Sequence, residues 1–398
     1  MQPDLRPRRP VAVLLALSCA RFCMGLQLQT IASLTPFLMA DLGLDYSEIG
    51  LLIGLFLAPG LALAIPGSIL MKRFGHVRPG ILGLILMATG CAALPLADDF
   101  LPAALCRLVA GTGGILLNIA FLRLTAQLFQ GASMNTAISV VLSSWPVGLG
   151  LGAVSYPLLA EMVGWQSTLW MVAALTLAVA IGVSLTVPDT ARQSRGAGEA
   201  GLSRISKQSW KVSLALGSAF SCFTAGGIIY LSFAPAFFTS LDMSHAEASI
   251  AASMIVWLGL IGTPLGAWIA DRFDMARTMM VSGACLSAVL IIPIALGGNP
   301  LWLSIVLGIT WGLPGAPYTG MLQRVLPPTD HGLGYGIYFF LFYCGFFGFP
   351  AVAGWLLEVT GDPTMPIWFS MVLMAASVPL VAIFSTASRS RGHQSSRG

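Results

Sequence analysis

Two arginines, Arg21 and Arg107, lie inside long apolar stretches, whereas the other 18 of the 20 Lys and Arg residues fall between or outside them. A charged side chain at the centre of a membrane helix costs about 2.5–3.5 kcal/mol, so it generally faces a cavity or a partner. The planar guanidinium suits two-point binding of carboxylate-like groups. All 16 Asp and Glu residues map to loops, tails or predicted helix ends. We therefore expect a bound anion to supply the missing negative charge.

The two arginines differ in depth. Arg21 lies some ten residues into its stretch, or ~15 Å at the helical rise, which favours a ligand or gating role. Arg107 lies about two turns from its helix end, and a structural or snorkelling role stays open beside ligand binding. Arg107, Gly111, Gly114 and Asn118 follow at i, i+4, i+7 and i+11, which predicts one stripe on a helix. The glycines either leave room beside the arginine or pack against a neighbouring helix.

The composition predicts the elements that carry these residues. Hydrophobic residues make up 56% of the chain and charged residues 9%, and the mean hydropathy is +0.84. Soluble domains carry about 25% charged residues, and a spanning helix needs about 20 mostly apolar ones. We predict an all-α integral membrane fold with twelve spans, near 11–39, 47–70, 79–97, 101–123, 135–160, 167–187, 211–240, 247–270, 278–297, 301–323, 333–357 and 366–386.

The longest polar gap, 188–210, is rich in Gly, Ser and Arg and predicts a flexible linker. It divides the chain into an N-terminal six-helix bundle, 1–187, and a C-terminal six-helix bundle, 211–398. The basic residues outside the spans lie on one side of this helix map. The positive-inside rule then places both termini and the linker in the cytoplasm, in a bacterial inner membrane.

The two halves repeat at an offset of 199 residues. The segment 67–78 aligns with 266–277, with Gly, Arg, Phe and the final Arg matching, and both copies follow the second span of their half. The fifth spans correspond too, since Gly and Pro residues precede Gly-Trp in each. Two halves of the same orientation predict a parallel repeat about an axis along the membrane normal.

On these residues the chain resembles the major facilitator superfamily over essentially its whole length. The basic loop after spans two and eight, Arg107 to Gly113 in span four, and the Gly/Pro-rich span five before Gly164-Trp165-Gln166 carry the resemblance. Residues 36–67 resemble the cyanate-permease-like branch. The chain departs from the family at Lys72, where the loop normally has an acid, so the cytoplasmic latch is in doubt in the first half, while Asp271 retains the acid in the second.

The resemblance implies a central cavity lined by spans 1, 4, 7 and 10. The prolines of span 10, Pro314 and Pro317, break its backbone ladder, which is tolerated where a helix lines a cavity. Gln27 and Gln29 point to different faces of span 1, so at most one reaches the cavity. The substrate-binding candidates are Arg21, Gln29, Arg107, Asn118, Thr224, Tyr230, Trp311 and Tyr318. The gating candidates are Lys72, Arg73, Arg78, Asp271, Arg272 and Arg277.

These features predict a secondary active or facilitative transporter that moves a small anionic solute by alternating access. The sequence has no P-loop, metal-ligand spacing or catalytic constellation, so we expect no enzyme activity, cofactor or metal. The expected partners are the solute and the lipid bilayer, with no nucleic acid, and we expect a monomer. Two alternatives stay open: an exporter of neutral lipophilic compounds through an aromatic-lined cavity, and a membrane sensor that transports nothing.

Overall fold

The computed structural model describes residues 10–129, 134–187 and 206–395. The chain forms two compact units, Met1–Ala197 (unit 1) and Gly198–Gly398 (unit 2). Most of the predicted linker lies outside the described residues, and helix begins again at Lys207, a few residues before the predicted start of span 7.

Seven α-helices make up the described part of each unit. Those of unit 1 are α1 (Pro10–Leu42), α2 (Tyr46–Leu55), α3 (Pro59–Phe74), α4 (Val77–Ala93), α5 (Phe100–Leu128), α6 (Met134–Val163) and α7 (Trp165–Thr186). Those of unit 2 are α8 (Lys207–Thr239), α9 (His245–Arg272), α10 (Ala276–Ala295), α11 (Pro300–Gly312), α12 (Gly315–Val325), α13 (His331–Thr360) and α14 (Met365–Ser395).

Eleven helical segments of the described chain are long and apolar enough to cross a membrane. The remaining predicted span, 301–323, is split into α11 and α12, of 13 and 11 residues, which are each shorter than the about 20 residues a span needs. The split follows from the predicted proline break, because Pro314 and Pro317 have no N–H to donate. The all-α membrane fold is confirmed.

The local structure repeats in the two units at the offset of the sequence repeat. A capping box opens α2 at Asp45 and Glu48, and another opens α9 at Ser244 and Glu247, both 199 residues later. These boxes satisfy N–H groups that a helix start leaves unpaired.

The turns that flank the second span of each unit repeat as well. Gly43 and Asp242 have φ of 64° and 63°, and Gly75 and Asp274 have φ of 78° and 51°. Aspartate is among the few residues besides glycine that tolerate this region. The two units therefore share backbone turns at equivalent positions, with glycine in one and aspartate in the other.

Each unit also contains one broken span. In unit 1 the second span breaks at Phe56–Ala58, because Pro59 has no N–H to continue the ladder. The turn is closed by shorter bonds, including that from the Leu57 N–H to the Gly54 carbonyl, 3.1 Å. This break was not predicted, although Pro59 and Gly60 are visible in the sequence.

Candidate functional site

Arg21 lies in α1 and is 7% exposed. One of its Nη1 hydrogens is donated to the Oδ1 atom of Asn118 on α5. A neutral amide therefore helps to orient the guanidinium. The nearest acidic residue along α1 is Asp41, 20 residues away, or ~30 Å along the helix. The structure brings together two of the predicted site residues as a polar pair inside unit 1.

Arg107 is 3% exposed and binds the backbone of two neighbouring helices. Its Nε donates to the Leu52 carbonyl of α2 at 3.1 Å, and its Nη1 donates to the Gln27 carbonyl of α1 at 2.9 Å. Further bonds run to the Thr30 hydroxyl, 3.1 Å, and the Leu28 carbonyl, 3.5 Å. The guanidinium thus joins α1, α2 and α5.

Three residues of the predicted α5 stripe, Arg107, Gly111 and Gly114, pack against the broken second span. The Arg107 guanidinium lies 4.8 Å from the centre of the Phe56 ring. A Cβ on Gly111 would lie 2.2 Å from the Phe56 carbonyl oxygen, and one on Gly114 would lie 3.1 Å from the Phe56 ring. Of the two predicted roles, Gly111 and Gly114 therefore have the second, which is packing against a neighbouring helix. Their lack of a side chain makes room for the irregular backbone around Phe56.

The two glutamines of α1 point to different helices, as expected. Gln27 donates to the Thr176 hydroxyl of α7 at 2.9 Å. Gln29 is buried, donates to Ser33 of its own helix at 3.1 Å, and lies against Gly152 of α6. Its predicted contact with substrate stays a prediction.

Two predicted contacts of unit 2 have protein partners for their hydroxyl groups. Tyr230 is fully buried, and its hydroxyl lies 2.6 Å from that of Ser304 on α11. Thr224 is half-buried and donates to the Phe220 carbonyl of its own helix at 2.6 Å. Tyr230 thus joins α8 to α11.

Trp311 and Tyr318, the other two candidates of unit 2, belong to an aromatic cluster. Phe223 lies between them, with ring centres 6.2 Å from Trp311 and 5.5 Å from Tyr318. Phe220 lies 5.8 Å from Tyr318 and 5.1 Å from Tyr338. Sequence analysis missed Phe220 and Phe223, although both lie on span 7 at i and i+3. We call the set Phe220, Phe223, Trp311, Tyr318 and Tyr338 the aromatic cluster.

The Trp311 ring packs against two glycines, Gly227 and Gly259. A Cβ on Gly227 would lie 2.4 Å from the indole nitrogen, and one on Gly259 would lie 3.3 Å from the ring. The indole therefore sits where α8 and α9 both lack a side chain, close to the break between α11 and α12.

Two of the gating candidates, Asp271 and Arg277, bond to other helices of unit 2. The Asp271 carboxylate accepts from Arg324 of α12 at 2.6 Å. Arg277 donates to Ser388 of α14 at 2.8 Å. Arg78 and Arg272 are exposed. The side chains of Lys72 and Arg73 lie outside the described residues.

A helical membrane protein made of two repeated units of six spans has the architecture of a secondary transporter. A family model described as Major Facilitator Superfamily matches residues 17–348 and 214–398. The chain therefore belongs to the major facilitator superfamily, as a multi-pass membrane protein.

Two solved structures share the fold over nearly the whole chain. Both are of a bacterial homologue of the human lysosomal transporter Spinster in inward-facing form. The occupied form has a TM-score of 0.71 and 19% identity, covering 95% of this chain and 96% of the other. The unoccupied form has a TM-score of 0.72 and 17% identity, with 98% of each chain covered. These likenesses show the fold alone.

Relatives by sequence are named as transporters or export proteins. An uncharacterized transporter of Buchnera aphidicola is 26% identical over 36% of this chain and 36% of its own length. The tetracenomycin C resistance and export protein of Streptomyces glaucescens is 26% identical over 47% of this chain and 35% of its own. The nitrite extrusion protein of Bacillus subtilis is 22% identical over 66% of each chain. The chain thus spans about a third of the first two relatives.

Proposed function

We propose that this protein is a secondary transporter of an anionic solute, that it works by alternating access, and that Arg21 is its anion-binding group. The observation that carries the proposal is a guanidinium buried in a membrane helix and oriented by a neutral amide, that of Asn118. A fixed positive charge in a low-dielectric interior attracts an anion far more strongly than it would in water. The nitrite extrusion relative supports an anion as the solute.

The two buried arginines have different roles in this proposal. Arg107 directs its donors at protein carbonyls and a hydroxyl, so it stabilises the helix packing of unit 1. Arg21 directs a donor at a side-chain amide, which a substrate can share or replace at little cost. Arg21 is therefore the group proposed to meet the anion, and Arg107 holds the helices that carry it.

The direction of transport follows from charge. An anion that enters alone works against an inside-negative potential, at about 2.3 kcal/mol per charge per 100 mV. The acidic residues and histidines lie at span ends, loops and tails, so the spans have no evident proton site. We therefore propose anion exchange or efflux.

A second candidate function is export of neutral lipophilic compounds. The aromatic cluster of unit 2 favours it, because stacked rings offer a large apolar contact area. The tetracenomycin C export relative is in line with such a substrate. This candidate predicts transport that does not depend on Arg21.

The test is flux in proteoliposomes against a panel of nitrite, nitrate and small carboxylates. Arg21→Gln should abolish anion flux with unchanged unfolding temperature, and Arg21→Lys should restore it poorly, because an ammonium lacks the planar fork. Arg123→Gln is the matched control, since it removes an equal charge from the exposed end of α5 and should transport normally. Wild-type flux through Arg21→Gln would rule out the proposed anion site.

A further inference from the structure

Unit 1 has a groove between α1 and α6, with a volume of about 480 Å³. Its walls include Ser18, Cys19 and Phe22 of α1 and Ser139, Ser143 and Val147 of α6. Binding sites for small molecules have volumes of about 300–1,000 Å³. A nitrite or nitrate ion would therefore leave most of this groove empty.

The groove lies where the two helices part. Gly25 and Gly148 mark their closest approach, since a Cβ on either would lie 2.1 Å and 2.2 Å from a carbonyl oxygen of the facing helix. Packed helices cross at an angle and separate on either side of the contact. The residues that face the groove lie before this contact along both helices: Ser18 is about two turns before Gly25 in α1, and Ser139 is about two and a half turns before Gly148 in α6.

Arg21, the proposed anion-binding group, does not line the groove itself but lies on the same helix, between the lining residues Ser18 and Phe22. Arg21 lies one turn before Gly25 and one turn after Ser18 on α1. At 3.6 residues per turn Ser18 is about 60° around the helix from Arg21, and Phe22 is the following residue. A ligand that reaches Arg21 with its charged end can thus extend its body along the same helix into the groove.

The lining has the chemistry of an apolar pocket with a few hydroxyl groups. Phe22 and Val147 offer carbon, and Ser143 on α6 offers a hydroxyl. The Ser18 hydroxyl is buried and has no hydrogen-bond partner among the described residues. A buried polar atom of this kind gains from a ligand acceptor, because a buried donor without a partner has lost its hydrogen bonds to water and gained none in return.

We propose that this groove binds the apolar body of an organic monocarboxylate whose carboxylate pairs with Arg21. The inference rests on the proposed function and names its substrate class. The groove selects by size and shape, while Arg21 selects by charge. An inorganic anion satisfies Arg21 alone and binds more weakly.

Cys19 reports on the groove in the unaltered protein. It is an exposed cysteine of the groove wall, and Cys285 is an exposed cysteine of unit 2 that serves as the internal reference. The rate of maleimide labelling at each is measured by peptide mass spectrometry in detergent. Benzoate or hexanoate should slow labelling of Cys19 at least 5-fold with no change at Cys285, and nitrite should not. Equal labelling with and without both carboxylates overturns the proposal.

A groove-filling variant gives the matching flux test. Ser143→Trp should lower benzoate and hexanoate flux at least 10-fold and leave nitrite flux within 3-fold. Leu142→Trp is the control, because Leu142 is an exposed neighbour on α6 that does not line the groove, and it should leave all three fluxes unchanged. Equal loss of nitrite and carboxylate flux in Ser143→Trp, in a folded protein, also overturns the proposal.

The two proposals fail separately. Suppose that nitrite flux depends on Arg21, but that carboxylates are not transported and do not protect Cys19 from labelling. The anion site is then retained and the groove proposal is overturned. If a bound lipid chain fills the groove, labelling of Cys19 is slow and does not change when carboxylates are added. This outcome also overturns the groove proposal. Normal flux of every anion through Arg21→Gln removes the proposed function itself.

Discussion

Units 1 and 2 place different chemistry at the same position of the repeat. The first spans are related by 199 residues, as the turns at Gly43 and Asp242 show, so Arg21 corresponds to Phe220. The fourth spans are related by 200 residues, since the caps Asp99 and Asn299 begin α5 and α11. This relation pairs Asn118 with Tyr318.

The first and fourth spans contact each other at this equivalent position in both units. Arg21 donates to Asn118 in unit 1, and the rings of Phe220 and Tyr318 lie 5.8 Å apart in unit 2. Arg107 likewise corresponds to Leu307, which is fully buried. The repeat therefore preserves helix positions while the side chains diverge from charged and polar to aromatic. The proposed anion site lies in unit 1, and its counterpart in unit 2 has no charge.

The first prediction gives Asn118 a charge of its own. Asn118→Asp should pair with Arg21 and take the place of the substrate anion, which lowers anion flux by about 100-fold, or 2.7 kcal/mol. Asn118→Ala removes only the orienting hydrogen bond and should raise the half-saturating concentration about 10-fold. Flux assays on both variants test this order. Equal effects from the two substitutions would show that the charge of Arg21 is not used.

The second prediction separates the two arginines of unit 1. Arg107→Ala should lower the free energy of unfolding by about 3 kcal/mol, because several hydrogen bonds to a charged group are lost from the packing of three helices. Arg21→Ala should change stability by less than about 1 kcal/mol and yet abolish anion flux. Unfolding in detergent measures both. A stable Arg107→Ala protein with lost transport would instead make Arg107 a ligand.

The third prediction concerns the aromatic cluster. Phe220→Leu should destabilise the protein by about 1–1.5 kcal/mol through lost ring contacts. Anion selectivity should stay as in the wild type, because this position of unit 2 contributes packing. The ratio of nitrite to nitrate flux is the measurement, and a changed ratio would assign part of the anion site to unit 2.

The smallest effect is expected at Asp330, near the start of α8. Hydrogen bonds, first from Ser209 and then from Ser206 and Thr329, hold the pKa of its carboxyl below the ordinary value. A lowered pKa in the folded state stabilises the protein above the ordinary pKa of about 4, and this stabilisation is lost as the pH falls through the folded value. Asp330→Asn should thus be less stable than wild type at pH 7.

Unfolding of Asp330→Asn and wild type at several pH values tests the sign. The difference in unfolding temperature between the two should shrink below pH about 4, where the wild-type carboxyl takes up its proton. If the difference in unfolding temperature between the two proteins grew as the pH fell, the predicted role of the Asp330 carboxylate would be wrong. The equivalent loop of unit 1, 130–133, lies outside the described residues.

The sequence predicted what depends on local pattern. Apolar runs located the spans, and the proline pair predicted the break in span 10. The helical period put Arg107, Gly111, Gly114 and Asn118 on one stripe. The partners of these residues depend on how helices approach one another, which no single-helix pattern contains. For this reason the sequence left both roles of Arg107 open and missed the ring contacts of Phe220. The break at Phe56 is different, because Pro59 is a local signal for it that the prediction did not use.

The most direct test of the central claim transplants the chemistry of unit 2 into unit 1. The double variant Arg21→Phe with Asn118→Tyr installs the pair that the equivalent helices of unit 2 already pack. Flux of nitrite, nitrate and benzoate is measured in proteoliposomes beside the unfolding temperature. We expect a folded protein with no anion flux above protein-free liposomes. Anion flux at the wild-type rate would contradict it, because no charge would remain at the proposed site.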